Sequence, residues 1–268
     1  MFKTKKFVKM AFVTILAALF LAGCGGDKAS TDSSKDVLAQ IKEDKKIVFG
    51  VKHDTRLFGL KNPSTGEVEG FDIDLSKALA EEMFGKDVKP EFVEVTSKTR
   101  VGLLNNGKVD AVVATMTITE ERKKEVDFTD VYFDAGQSLL VKKGSKIQSI
   151  DDLKKDTKVL AVKGSTSSIN IREKAPETTV LEFENYAEAF TALKAGKGDA
   201  LTTDDSILYG MAEEDPSFVL VGGTFTEEPY GIAVKKGNKE LVDELNKALK
   251  SLKDSGKYDE IKDKWIKN

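Results

Sequence analysis

Two short passages occur twice in this 268-residue chain, and together they restrict its architecture more than any other feature. Gly107-Lys108-Val109-Asp110-Ala111 returns as Gly196-Lys197-Gly198-Asp199-Ala200. Val141-Lys142-Lys143-Gly144 returns as Val234-Lys235-Lys236-Gly237. The first pair falls each time between a helical pattern and a short apolar run, so it marks the same turn in two units built alike. The second pair follows extended apolar segments, which implies two similar strands, one leaving the first unit and one returning to it. Both echoes fit one topology: a first lobe, a second lobe, then a return to the first.

The stretches between the echoes alternate in period. Runs rich in β-branched residues predict strands at 46–51, 91–95, 110–115, 158–162, 180–183, 199–203 and 218–221, with extended segments at 133–141 and 230–234. Helices are expected at 75–84 (capped by Asp74), 100–106, 120–124, 151–155 (capped by Ser149), 169–174, 186–195, 207–212, 241–252 and 258–266. This alternation indicates an α/β fold with mainly parallel sheets. Ligands of open α/β sheets bind beyond the carboxyl ends of strands. Two such lobes face to face make a cleft that can close by a hinge.

The first residues read as an address. Residues 1–9 carry four Lys and no acid, 10–20 are apolar, and Leu21-Ala22-Gly23-Cys24 follows. A basic start, a short apolar run and small residues describe a secretory signal peptide. The run is too short for a spanning helix, which needs about 20 apolar residues. The single Cys of the chain, placed after Leu-Ala-Gly, resembles a bacterial lipobox, which implies lipidation at Cys24 and anchoring without a membrane span. Residues 25–35, all Gly, Ala, Ser, Thr or charged, read as a flexible tether. The expected organisation is therefore a signal peptide over 1–23, anchor and tether over 24–36, lobe 1 over 37–137, lobe 2 over 138–231, and a return to lobe 1 over 232–268. The protein is expected outside the cytoplasmic membrane, touching it only through the lipid.

Composition removes several functions. With 40% hydrophobic and 32% charged residues the chain is ordinarily globular. One Cys excludes an intramolecular disulfide and a Cys-rich zinc site, and one His argues against a His-based metal site or triad. A net charge of −3 argues against a nucleic-acid partner. No cofactor is expected, and a monomer is the default.

The polar residues at the expected strand ends form a coherent set: Lys52, His53 and Asp54, then Thr117, Thr119 and Arg122, then Lys163, Thr166, Ser167 and Ser168, then Asp204, with Arg100 opening a helix nearby. Both signs and many hydroxyls are present, but no nucleophile with its base. Arg offers a carboxylate two parallel hydrogen bonds, helix N-termini add N–H donors, and Asp204 suits an ammonium. The set therefore fits a small zwitterion. Each member has a plainer role available: Arg122 lies in a charged run, Asp204 could cap the next helix, and His53 has no partner that would make it a base. Phe58 could cover a ligand's apolar stem.

Gly70-Phe71-Asp72-Ile73-Asp74-Leu75, the stretch from Ala114 to Lys123 with Val126-Asp127-Phe128, and Glu228-Pro229-Tyr230-Gly231-Ile232-Ala233 resemble the polar amino-acid-binding proteins of bacterial ABC importers. The likeness covers the whole mature body and points to the glutamine/glutamate/aspartate branch of the periplasmic binding proteins, family 3. It implies the two-lobed periplasmic-binding-protein fold of type II, with two crossover strands, and delivery of an amino acid to a membrane permease. By position, Arg122 would hold the α-carboxylate with Thr117 and the Ser167 backbone, and Asp204 the α-ammonium beside the backbone near Thr115. Asp54 and Lys163 match the pair that glutamine binders use on the side-chain amide. Arg100, Lys52 and Tyr230 match acidic amino-acid binders. Ser97 departs from the glutamine pattern, in which an aromatic residue often covers the ligand. The chain carries both sets, so glutamine is the first expectation and glutamate the second. The alternatives are an aspartate/glutamate-binding adhesin or sensor, and a cyclic-acid dehydratase on the same fold.

Overall fold

The computed structural model describes residues 37–267; the expected signal segment, Cys24 and the whole tether lie outside the described residues. The first lobe is built on β1 (Lys46–Val51), β5 (Lys89–Glu94), β6 (Ala111–Val112), β7 (Val126–Ala135) and β13 (Glu228–Lys235). The second is built on β8 (Gln137–Lys142), β9 (Lys158–Val162), β10 (Thr179–Phe183), β11 (Ala200–Asp204) and β12 (Phe218–Val221). The strand orders are β5-β1-β6-β13-β7 and β10-β9-β11-β8-β12. In each sheet the first three strands are parallel. β13 and β8, the strands that carry the Val-Lys-Lys-Gly echo, occupy the same fourth place and run antiparallel to both neighbours. A small ribbon, β2 (Asp54–Thr55), β3 (Gly59–Lys61) and β4 (Val68–Glu69), adjoins the first lobe.

The chain passes between lobes at Gly136 and again over residues 222–227. The two crossings touch. A Cβ on Gly136 would lie 2.6 Å from Thr226 O and 2.7 Å from Thr224 Cβ, so only glycine lets them pass this closely.

The helices are α1 (Val37–Asp44), α2 (Phe71–Phe84), α3 (Arg100–Asn105), α4 (Glu120–Glu125), α5 (Ser167–Lys174), α6 (Tyr186–Lys194), α7 (Asp205–Glu214), α8 (Lys239–Asp254) and α9 (Lys257–Trp265). The Gly-Lys-x-Asp-Ala echo has a physical cause. Gly107 and Gly196, at φ 66° and 68°, end α3 and α6 in the left-handed region. Their N–H groups and those of Lys108 and Lys197 take up the last free carbonyls of each helix. Asp110 and Asp199 then clip the loop to the neighbouring strand. Each donates its N–H to a strand carbonyl (Val48 and Lys158), and its carboxylate accepts that same residue's N–H, all four at 2.8 Å.

Each lobe has its own apolar core. In the first, Ile47, Phe49, Phe71, Leu79, Tyr132 and Tyr230 pack with Leu241, Leu245 and Leu249 of α8. In the second, Leu160, Val162, Phe190, Leu201 and Ile207 pack together. Several elements differ from the expected bounds. α2 begins at Phe71 rather than 75, because Gly70 at φ 143° turns the chain and Phe71 is buried at once. Asp74 does not cap it; its carboxylate accepts from Lys264 Nζ and Trp265 Nε1 and ties α9 down. The segment 151–155 is a single 3-10 turn, Ile150–Asp152, held by a capping box from Ser149. The strand expected at 110–115 pairs only over Ala111–Val112, since Thr115 leaves the extended region. The apolar stretch 133–141 is two strands divided at Gly136.

Candidate functional site

Where the carboxyl ends of β1, β9 and β11 face one another, charged side chains are buried between the lobes. Lys52 follows β1. Its Nζ donates to Ser97 Oγ at 2.9 Å and lies 5.0 Å from the centre of the Tyr186 ring on the second lobe. Burial, reinforced by Arg100, pushes its pKa down to about 7. Arg100 opens α3; its Nη1 donates to Ala114 O at 2.8 Å and Thr115 O at 3.3 Å. Burial and the Arg122 charge lower it to about 9. Arg122 sits in α4, which Thr119 caps by accepting the Arg122 N–H. Its Nη1 donates to Thr117 O at 2.7 Å, and its Nη2 reaches across to Gly164 O at 3.1 Å.

Three buried carboxylates answer these cations. Asp204 ends β11 and accepts from Tyr230 OH at 2.6 Å. Burial, then the nearby Glu228 carboxylate, raises it to about 7. Its side chain makes no cap bond to α7, so the plain capping role does not explain its position. Glu228 accepts hydroxyl hydrogens from Thr117 and Thr166, both at 2.7 Å, and from Thr226 at 2.9 Å, with Asn170 Nδ2 at 3.2 Å. It gathers one residue of the first lobe, two of the second and one of the crossing. Asp72, in the first turn of α2, accepts from Thr115 N at 3.2 Å and Tyr132 OH at 3.1 Å, and burial raises it to about 7. Among the described residues, two polar atoms in this cluster are buried without a partner: Arg100 Nε and Thr115 Oγ1.

The structure brings Lys52, Arg100, Thr115, Thr117, Arg122, Thr166, Ser167, Asp204 and Tyr230 into this region. Ser167 Oγ is bonded to Ser165 Oγ at 2.8 Å. Three other candidates are engaged elsewhere. Lys163, whose side chain is 41% exposed, pairs with Glu184, and Lys98 of the opposite lobe pairs with the same carboxylate. Asp54 accepts the N–H of Tyr186, at the start of α6, at 2.7 Å, and so joins the lobes directly. Phe58 is buried edge-on against Phe71, Phe133 and Tyr230, so it supports Tyr230 from behind. His53 Nδ1 lies 3.6 Å from Glu94. Sequence reasoning missed Asp72, Tyr186 and Glu228 as members of the site. Asp72 lies just ahead of the helix expected from 75, and nothing local to it or to Glu228 announces partners so far along the chain.

Residues 47–268 match the sequence pattern of the bacterial extracellular solute-binding proteins, family 3. The chain belongs to this family. It is 65% identical to the ABC transporter glutamine-binding protein GlnH of Bacillus subtilis (strain 168), over 98% of each chain. It is 56% identical to the glutamine-binding protein of Geobacillus stearothermophilus, over 90% of this chain and 96% of that one. Among solved structures, an ancestral arginine-binding protein bound to glutamine superposes with a TM-score of 0.79 at 44% identity, covering 84% of this chain and 99% of the other. The architecture is thus the two-lobed periplasmic-binding-protein fold, as the motifs implied. A family 3 solute-binding protein is a transport receptor rather than an enzyme, which agrees with a site rich in charges and hydroxyls.

Proposed function

We propose that the protein captures a polar amino acid outside the cytoplasmic membrane, glutamine first and glutamate second, by closing its lobes around it, and presents it to the permease of an ABC importer. The observation that carries this reading is the set of three cations and three carboxylates where the lobes meet, all buried except the part-buried Arg122, with Arg100 Nε and Thr115 Oγ1 unpaired. Arg122 holds the α-carboxylate, helped by the backbones of Thr117, Thr166 and Ser167. Asp204 takes the α-ammonium beside the Thr115 backbone. Lys52, Arg100 and Tyr230 line the side-chain end, and Phe58 backs Tyr230. Asp54 and Lys163 act at the rim, through Tyr186 and Glu184. Glutamine comes first because its neutral side-chain amide needs no counter-ion from a site whose buried Lys52 ammonium is already depressed to about 7. An amide also both donates and accepts, which suits a pocket end of mixed polarity. The names of the Bacillus and Geobacillus relatives support the same ligand.

Closure removes water, which strengthens each charged contact. A micromolar affinity corresponds to about −8 kcal/mol, within reach of a few ionic contacts on a preformed site. Cys24 carries the lipid that keeps the protein at the membrane, and no helix among the described residues is long and apolar enough to cross one. The body works as a monomer, with lobes over 37–137 with 232–268 and over 138–231. Calorimetric titration of the ligand-stripped protein with glutamine, then glutamate, tests the reading. Tighter binding of glutamine is expected. Preference for glutamate would shift the specificity to Arg100 and Lys52, and binding of neither would overturn the assignment.

A further inference from the structure

Thr115 differs from the rest of the cleft wall in its backbone. It is a β-branched residue at φ 46°, in the left-handed region where such side chains are outliers. Strain of this kind persists only where the surroundings over-determine it, and it concentrates where ligands are gripped. Here the surroundings are explicit. The Thr115 N–H donates to Asp72 Oδ2 at 3.2 Å, and Tyr132 OH donates to Asp72 Oδ1 at 3.1 Å. From the other side, Arg100 Nη1 donates to the carbonyls of Ala114 and Thr115. The Ala114–Thr115 peptide is thereby held at both its carbonyl and its N–H, and the Thr115 carbonyl keeps a second lone pair, while Thr115 Oγ1 and Arg100 Nε stay buried and unpaired.

We propose that Asp72 is a positioning residue for ligand capture: with Arg100 it clamps residues 114–115 in the left-handed turn, so that the wall meeting the ligand's ammonium is set before the ligand arrives. This rests on the amino-acid reading above. An acid serving only the α2 dipole would sit at the solvent end of the first turn, as charges near a helix N-terminus commonly do. Asp72 is instead fully buried, with each oxygen committed to a partner outside its own helix.

The test compares Asp72→Ala, Asp72→Asn and Thr115→Gly by glutamine calorimetry on the full protein. Asp72→Ala removes the acceptor of a buried N–H and is expected to weaken binding about tenfold or more. Asp72→Asn still accepts that N–H through its amide oxygen and is expected to stay within about threefold of the unaltered protein. Glycine adopts the left-handed turn without strain, so in the Thr115→Gly background Asp72→Ala is expected to cost less than about threefold. A ligand-free readout accompanies these: Thr115 amide exchange quickens in Asp72→Ala while the amides of β1 and β9 keep their protection. Unchanged affinity in Asp72→Ala, an equal loss in both backgrounds, or unchanged Thr115 exchange overturns the clamp. Were the unaltered protein to bind no amino acid, the functional reading would fall, and the exchange rates would still decide for or against the clamp.

Discussion

Replacing Gly164 by alanine separates closure from folding. Gly164, in the loop after β9, has φ 77°, and a Cβ there would lie 2.8 Å from both Lys98 Cα and Ser97 O of the opposite lobe. Two effects follow. The left-handed backbone costs a non-glycine residue about 1–2 kcal/mol, paid whether the lobes are open or shut. The clash exists only in the closed form and is with backbone, which cannot swing aside. Overpacking of this kind costs about 1–3 kcal/mol, or roughly 5–150-fold in affinity. Gly144→Ala is the control: φ is 84° and nothing lies within 4 Å of the added atom. Both variants are expected to melt a few degrees lower, at about 2–4 °C per kcal/mol for a chain of this size. Only Gly164→Ala is expected to bind glutamine more weakly in calorimetry. Wild-type affinity in Gly164→Ala would refute the reasoning, since it would mean that the bound state does not bring these loops together.

Arg122→Ala leaves a ligand carboxylate buried without its partner, at a cost of about 3–5 kcal/mol, which moves a micromolar Kd to about millimolar or beyond; retained micromolar binding in a titration would contradict its role. Asp72 is buried among first-lobe partners, so burial raises it to about 7 whether the lobes are open or shut. From about pH 4 to 7 the folded unliganded chain therefore keeps a proton that the unfolded chain has lost, and its stability falls as pH rises. Scanning calorimetry at about pH 5.5 and 7 checks this against Asp72→Asn, which should lose that pH dependence; an equal pH dependence in both proteins would count against it. Asp110→Ala and Asp199→Ala each remove the acceptor of a strand N–H, part-buried at Val48 and exposed at Lys158, and should cost about 0.5–1.5 kcal/mol in urea unfolding. A loss in one lobe but none in the other would mean that the echo is not a shared device.

The parts of the fold legible in the sequence are those whose cause is local. β1, β9 and β12 are expected at the residues where they occur, because a short unbroken apolar run rich in β-branched residues shows as a strand, whether central like β1 and β9 or at the edge like β12. The echoes were legible for the same reason: a glycine in the left-handed region and an Asp three residues on are needed wherever a helix hands over to this kind of strand. The start of α2 was not legible, because Gly70 bends the chain around Phe58, and only the folded ribbon makes that bend necessary. Within the cleft, Arg122 and Asp204 could be picked out from their places at strand ends. Glu228 and Asp72 could not, since their meaning comes from Thr117 and Tyr132, which lie 111 and 60 residues away. The fate of Lys163 was hidden in the same way: its position was legible, but Glu184, from the end of the adjacent β10, claims its ammonium.

The central claim is that the lobes close around an amino acid. The contacts between them that need no ligand include exposed ion pairs, Lys98 with Glu184 at 3.3 Å and Arg56 with Glu213 at 3.7 Å, each worth at most about 1 kcal/mol. Without a zwitterion, closure would leave Arg122 with carbonyl acceptors only and Asp204 with a hydroxyl donor only, neither bonded to an opposite charge, so the open form should prevail and the ligand should shift the population. Small-angle X-ray scattering of the stripped protein, before and after saturation with glutamine, measures this directly. The account predicts a smaller radius of gyration on adding glutamine and none on adding a non-ligand amino acid. Glutamine bound in calorimetry with no change in radius would contradict it.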